Sequence, residues 1–305
     1  MITGEQTDEF IVAHGLPAGF AKLINEYYIP LATWLHQMKR ADETLLIGIN
    51  GAQGTGKSTL ASFLKAALKS KADWHVAVLS IDDFYLTKSE RDRLADEVHP
   101  LLRTRGVPGT HDIEMLSDCI DKLETLDAES TLHLPHFDKA KDDRTDKSEW
   151  PSTTGPIDLI IVEGWCVGSR PQEASELIEP INALEETEDR TGEWRTFVNE
   201  RLQDAYAQLF ARLDALVFLQ APGFSAIHRW RLIQEEKLAA AKPVDSSGIM
   251  SSQQLTRFIQ HYERITRNNL AVLPELADVV LEFNDGHDCT RSRYKRESSL
   301  LSDQS

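Results

Sequence analysis

Cysteine is scarce: three in 305 residues, Cys119, Cys166 and Cys289, an odd number with no CxxC spacing. That argues against a disulfide framework or a structural zinc site. Basic residues are outnumbered, 33 against 49 acidic, for a net charge of −16. A chain so poor in positive charge is a poor nonspecific nucleic-acid binder, which needs a basic face. An anionic small ligand is still compatible, because a pocket's local field can oppose the net charge. No apolar run reaches bilayer length, and the N-terminus lacks a basic stretch followed by an apolar core. The expectation is a cytoplasmic protein with no membrane partner. No internal repeat or low-complexity tract stands out.

Hydrophobic residues make up 41%, enough for a sizeable core. Residues 1–40 read as helical, with Pro30 expected to break or kink them. Five short apolar runs follow, at 44–50, 74–81, 157–164, 214–220 and 277–283. Several are continuously apolar, as in parallel strands covered on both faces. They alternate with helical stretches, so the expected class is α/β, built of right-handed βαβ crossovers. The division expected is a helical N-terminal extension at 1–43, a main domain at 44–290 and a polar tail at 291–305. Two stretches, 86–150 and 169–197, interrupt the core pattern and read as insertions at strand ends. The second is acidic and turn-rich, hence expected to be chiefly a solvated loop, although Trp194 implies some packing. The run Leu255, Phe258, Ile259, Tyr262 and Ile265 reads as plain core packing.

The first apolar run leads into "GINGAQGTGKSTL". Gly51, Gly56, Lys57 and Ser58 fit G-x-x-x-x-G-K-[ST], and Leu60, Phe63, Leu64, Ala67 and Leu68 then recur at helical spacing. Glycines let the backbone curl so that N–H groups of Gly51, Ala52, Gln53, Gly54, Thr55 and Gly56 can face phosphate oxygens. The helix N-terminus adds partial positive charge. Lys57 would reach the β- and γ-phosphates of a triphosphate, Ser58 would ligate Mg²⁺, and Thr59 is placed for an α-phosphate oxygen.

The second run ends in "SIDDFYL". A carboxylate there, Asp82 or Asp83, could take a hydroxyl proton or orient Mg²⁺; the alternative is a turn acid capping a helix. If the strand continues, only one of the two faces the site. The third run ends in "IIVEGW", and Glu163 after four apolar residues needs a partner, which Mg²⁺ would supply. After the fourth run, Arg229, Arg231 and Lys237 gather on an expected helix, either as a lid closing over phosphates or as a solvated face. Between the second and third runs lie Arg103, Arg105, His111, His136, Lys139 and Arg144, a grouping that suits a small anionic acceptor. A metal site from His99, His111 and His136 lacks regular ligand spacing.

"GAQGTGKST", "SIDDFY", "LPHFDKAKDDR" and "IIVEGW", in this order, resemble the phosphoribulokinase, uridine kinase and pantothenate kinase group of P-loop kinases. Within the group, "RTRGVPGTHD", "VEGWCVG", "NALEETEDRTGEWRTFVN", "RWRLIQEE" and "FIQHYERIT" are similar to the D-glycerate 3-kinase branch, which includes plant-type glycerate kinases and fungal ATP-dependent kinases. The resemblance covers most of the chain from Leu45 to Phe283. It implies the fold of P-loop containing nucleoside triphosphate hydrolases with a five-stranded parallel core sheet, and ATP and Mg²⁺ as ligands. It implies transfer of the γ-phosphoryl to a hydroxyl, with Asp82 as base and Glu163 and Ser58 at the metal. Arg229 and Arg231 match the lid arginines, and Tyr85, His111, Phe137 and Arg144 the acceptor contacts. Uridine kinases carry a tyrosine where this chain has His136 and Phe137, a departure that weighs against a nucleoside.

The expected activity is therefore phosphorylation of D-glycerate to 3-phosphoglycerate. The alternatives are a kinase for another hydroxylated acceptor, nucleoside or pantothenate-like, and a slow ATP-dependent switch. The sequence sets no oligomeric state.

Overall fold

A computed structural model describes residues 4–41, 43–241 and 252–295. The expected α/β class and P-loop fold are what it shows. The central sheet has six strands: β1 (Leu45–Gly51), β2 (Val76–Ser80), β3 (Leu159–Gly164), β4 (Ala215–Gln220), β5 (Val279–Phe283) and β6 (Cys289–Tyr294). Their order is β6-β5-β4-β1-β3-β2. The five expected strands pair in parallel, and β6 is antiparallel to β5.

β1 and β3 are buried along their full length, as their unbroken apolar runs require. Alternate residues feed two cores. Ile47, Ile49 and Ile161 pack with Leu60, Leu64 and Leu68 of helix α3 (Lys57–Ala72) and with the N-terminal helices α1 (Gly4–Ala13) and α2 (Ile29–Met38). Leu46, Ile160 and Val162 pack on the other face with Leu116 and Ile120 of helix α5 (Ile113–Glu124). Helix α4 (Lys88–Glu97) precedes α5 and starts on a capping box from Thr87 and Glu90. A recurring aspartate aligns the strands: Asp214 accepts from Leu46 N at 2.8 Å, Asp278 from Leu216 N at 2.8 Å and Asp158 from His75 N at 2.9 Å. Each carboxylate satisfies a strand-end donor that the neighbouring strand does not reach.

Three expectations change. Pro30 does not break the N-terminal helix. A π-helical turn at Ile24–Tyr28, with Ile29 N–H bonded to Ile24 O, absorbs the imino residue at the first turn of α2. The expected 290/291 boundary falls inside β6, so the tail begins as a strand. β6 is an edge strand whose Arg293 pairs across to Glu282 at 2.7 Å, and edge exposure explains its polarity. The remainder of the tail, 296–305, lies outside the described residues.

The acidic stretch 169–197 is not chiefly a solvated loop. It contributes Ala183–Glu188 and helix α6 (Glu193–Arg201), packed against the long helix α8 (Ser252–Leu276), which follows α7 (Phe224–Ala241). Glu185 and Asp189 are buried in ion pairs, Glu185 with Arg264 at 2.6 Å and Asp189 with Arg195 at 2.9 Å. Buried acids need such partners, and Arg264 stands 79 residues away in the chain. No described helix is long and apolar enough to cross a membrane.

Candidate active site

The phosphate loop sits where β1 hands over to α3. Gly56, at φ 94°, takes the left-handed conformation that turns the chain into the helix. The Ala52 carbonyl gathers the loop's donors: Thr55 Oγ1 at 2.8 Å, Thr55 N at 3.2 Å and Lys57 Nζ at 3.1 Å. Burial pushes the Lys57 ammonium below its ordinary value, opposed by the nearby carboxylates of Glu163 and Asp82. The loop separates two clefts. Thr55 and Gly56 line one, of about 680 Å³, with Phe20, Tyr27 and Tyr28 on one wall and the 283–290 turn on the other. Gln53, Gly54, Lys57 and Ser58 line the second, of about 350 Å³.

Asp82, Tyr85, Glu163 and Arg105 all face this second cleft. β2 stops at Ser80, and Ile81–Phe84 is a 3-10 turn, so strand alternation does not sort the two aspartates. Asp82 accepts from Lys139 Nζ at 2.6 Å and from the Tyr85 hydroxyl at 2.9 Å. Burial pushes its carboxyl up, but the Lys139 ammonium and these hydrogen bonds outweigh it and hold it below the ordinary carboxylate value. Asp83 turns the other way, to His136 Nδ1 at 2.9 Å and Phe137 N at 3.2 Å. It fastens the hairpin of Phe137–Asp138 and Asp143–Arg144 under the cleft.

Glu163, at the end of β3, is buried, and Ser58 Oγ donates to its Oε1 at 2.8 Å. A hydroxyl and a carboxylate oxygen beside a phosphate loop fit Mg²⁺, which takes one or two protein oxygens and completes its shell with phosphate and water. Asp82 is on the same cleft. His99, His111 and His136 have separate partners: Leu101 N, the Tyr206 hydroxyl and Asp83. Among the described residues no group of three or more His, Cys, Asp or Glu is placed to hold a metal.

The expected acceptor residues divide. Tyr85 and Arg105 line the cleft. His111 lies behind Tyr85, stacked on it at 4.5 Å, with Nδ1 2.7 Å from the Tyr206 hydroxyl. Burial pushes its imidazole down to about 4, so it is neutral near pH 7. Phe137 packs edge-on against Tyr85 at 5.3 Å, beneath the guanidinium of Arg105. Arg144 donates to the Tyr85 carbonyl at 3.0 Å and to Asp112 at 3.2 Å. These three support the wall rather than form it. Arg103 points away, paired with Asp92 and Asp96 of α4 at 2.9 Å each.

Arg105 differs from Arg103 because the next residue is clamped. The Gly106 carbonyl accepts from Trp165 Nε1 at 2.9 Å, and a Cβ there would lie 2.2 Å from the Tyr262 hydroxyl. Arg105 then pairs with Asp142. Of the two expected lid arginines on α7, Arg231 lines the cleft with its guanidinium 5.9 Å from the Phe258 ring. Arg229 instead pairs with Asp285, in the turn after β5. The side chain of Lys237 is outside the described residues.

Sequence reasoning missed four residues. Trp165, Phe258 and Tyr262 line the cleft, the last two from the helix read as plain core packing. Arg91, 1% exposed, donates to the carbonyls of Leu86, Arg103 and Asp142, tying helix, loop and hairpin together. A fully buried arginine carries no local sequence signal, whereas the aromatic pair in "FIQHY" was already part of a distinctive word.

No family model matches the chain. It is 34% identical over 271 residues to an uncharacterized kinase, mug58, of Schizosaccharomyces pombe, covering 81% of this chain and 91% of that one. It is 30% identical over 256 residues to the chloroplastic D-glycerate 3-kinase of Arabidopsis thaliana, covering 77% of this chain and about half of that one, 52%. Among solved structures, the D-glycerate 3-kinase of Cryptococcus neoformans superposes with a TM-score of 0.69 at 25% identity, covering 88% of this chain and 97% of that one. The loop, the strand-end acids and these similarities lead to one assignment: the chain belongs to the D-glycerate 3-kinase branch of the ATP-dependent P-loop kinases.

Proposed function

We propose that this kinase transfers the γ-phosphoryl of ATP to a hydroxyl of D-glycerate, giving 3-phosphoglycerate. The observation that carries the reading is the partition. A phosphate loop divides a large cleft from a smaller one, and a half-buried carboxylate, Asp82, stands on the smaller side. The larger cleft would take the base and ribose, against Tyr27 and the 284–288 turn. The smaller one would take a compact acceptor. Its cations, Arg105, Lys139 and Arg231, favour an anionic one. Relatives named as D-glycerate 3-kinases support glycerate in particular.

In this reading Asp82 accepts the hydroxyl proton as the oxygen attacks the γ-phosphorus, and the bond to the ADP oxygen breaks. Lys57 and the loop N–H groups offset charge on the transferring group, and Arg231 approaches it from α7. Tyr85, braced by His111 and Phe137, orients Asp82 through its hydroxyl. Ser58, Glu163 and Asp82 would hold Mg²⁺, which when bound neutralises phosphate charge. Catalysis is then mainly positioning and electrostatics, with no covalent enzyme intermediate.

The test is ATP consumption with and without a panel of hydroxy acids, polyols, nucleosides and pantothenate. Consumption that depends on D-glycerate is expected. Dependence on another member of the panel replaces the acceptor, and equal consumption with no acceptor overturns phosphoryl transfer in favour of a slow ATPase.

A further inference from the structure

The candidate base is already occupied, and its occupant is a lysine. Lys139 Nζ lies 2.6 Å from Asp82 Oδ2, inside the cleft proposed for the acceptor. The neighbouring cations have other contacts: Arg105 holds Asp142, Arg144 holds Asp112 and the Tyr85 carbonyl, and Lys57 holds the Ala52 carbonyl. Arg231 rests against the Phe258 ring. An ammonium bonded to a carboxylate makes it a poorer proton acceptor. As it stands, the cleft keeps Asp82 in its less basic form.

The backbone beneath Lys139 is pinned. Asp138 accepts from Ala140 N at 2.8 Å and Lys141 N at 3.2 Å, and Arg91 donates to the Asp142 carbonyl at 2.7 Å. Arg105 donates to the carbonyl of Lys139 itself at 3.3 Å. The freedom left is in the side chain, which is 58% exposed. A flexible four-carbon stem lets an ammonium trade one carboxylate for another with the hairpin in place.

The geometry points to Lys139 as the residue that reads the acceptor's negative charge and, by changing partner, frees Asp82 to act. The acceptor carboxylate takes the ammonium; Asp82, released, takes the hydroxyl proton as the new O–P bond forms and the bond to ADP breaks. Lys139 carries its charge throughout and exchanges no proton. A neutral acceptor of the same size leaves the lysine on Asp82, so selectivity for an acid enters the rate as well as the binding. This inference rests on the kinase reading above.

The test measures kcat and KM separately for the wild type, Lys139→Met and Lys139→Arg, with D-glycerate and with its neutral methyl ester and glycerol. Lys139→Met is expected to lose roughly 30- to 100-fold in kcat/KM on D-glycerate, and at least tenfold less than that on the neutral acceptors. Lys139→Arg keeps D-glycerate turnover within about tenfold of wild type. Equal losses on charged and neutral acceptors, or a Lys139→Arg variant no better than Lys139→Met on D-glycerate, overturn the inference. The wild type alone tests the underlying reading. If another hydroxy acid is the acceptor, glycerate falls while Lys139 is judged on that acid and its ester. A wild type that prefers neutral acceptors overturns the Lys139 role and leaves phosphoryl transfer intact.

Discussion

The phosphate loop and the cleft proposed for the acceptor share a border but are built differently. The loop takes its donors from one contiguous stretch, residues 51–59, and uses mostly backbone. The cleft takes Asp82 and Tyr85 from a turn after β2, Arg105 from a loop, Lys139 from a hairpin tip, Glu163 and Trp165 from the end of β3, and Phe258 and Tyr262 from α8. A backbone site needs only local conformation to form. A side-chain site needs the whole fold to arrive first, and each member depends on partners elsewhere. Changes to the loop should therefore be felt with every acceptor, and changes to the cleft with particular ones.

The sharpest probe of this contrast is Lys57→Met, expected to lower kcat about 10³-fold with any acceptor tested, since it removes a preorganised charge from the transferring group. A loss confined to one acceptor would break the comparison. Asp82→Asn is expected to lower kcat about 100-fold or more while the KM for ATP stays within twofold, or about that. Unchanged turnover would remove the base from Asp82. On the cleft alone, Arg105→Met should raise the acceptor KM about tenfold, whereas Arg103→Ala, which breaks only exposed ion pairs, should change it less than about twofold. Equal effects would mean that the Gly106 clamp does not separate the two arginines.

The wall behind Tyr85 responds to pH. His111 has its pKa pushed from 6.5 down to about 4 by burial, so the unfolded chain binds more protons across that window. Its contribution to stability is therefore full above 6.5 and lost as pH falls toward 4. The unfolding free energy of the wild type, from urea titrations, should fall more steeply on acidification than that of His111→Gln. The difference should approach about 1.4 kcal/mol per pH unit. Parallel slopes would show that the imidazole is not held neutral.

The same contrast governs what the sequence makes legible. The loop, its strand and its helix could be read directly, because "GAQGTGKST" carries its own geometry. The five parallel strands could be read because burial on both faces leaves continuous apolar runs. Arg103 and Arg105 carry identical local signals, and only Asp92 and Asp96 on one side and Asp142 on the other tell them apart. Glu185 and Asp189 looked solvated because acid runs usually are, and their partners are set by packing against α8 and within the insertion. β6 was hidden because an edge strand shows polar residues to water.

The partition made by residues 51–59 has a kinetic consequence. If each substrate enters by its own mouth, neither blocks the other's approach, and both can dissociate from the ternary complex. Initial-rate plots should then intersect rather than run parallel. ADP should compete with ATP alone, and the phosphorylated acid with the acceptor alone. Separate doors on one wall make the order of arrival immaterial, which lets the enzyme answer to whichever of its two substrates is scarce.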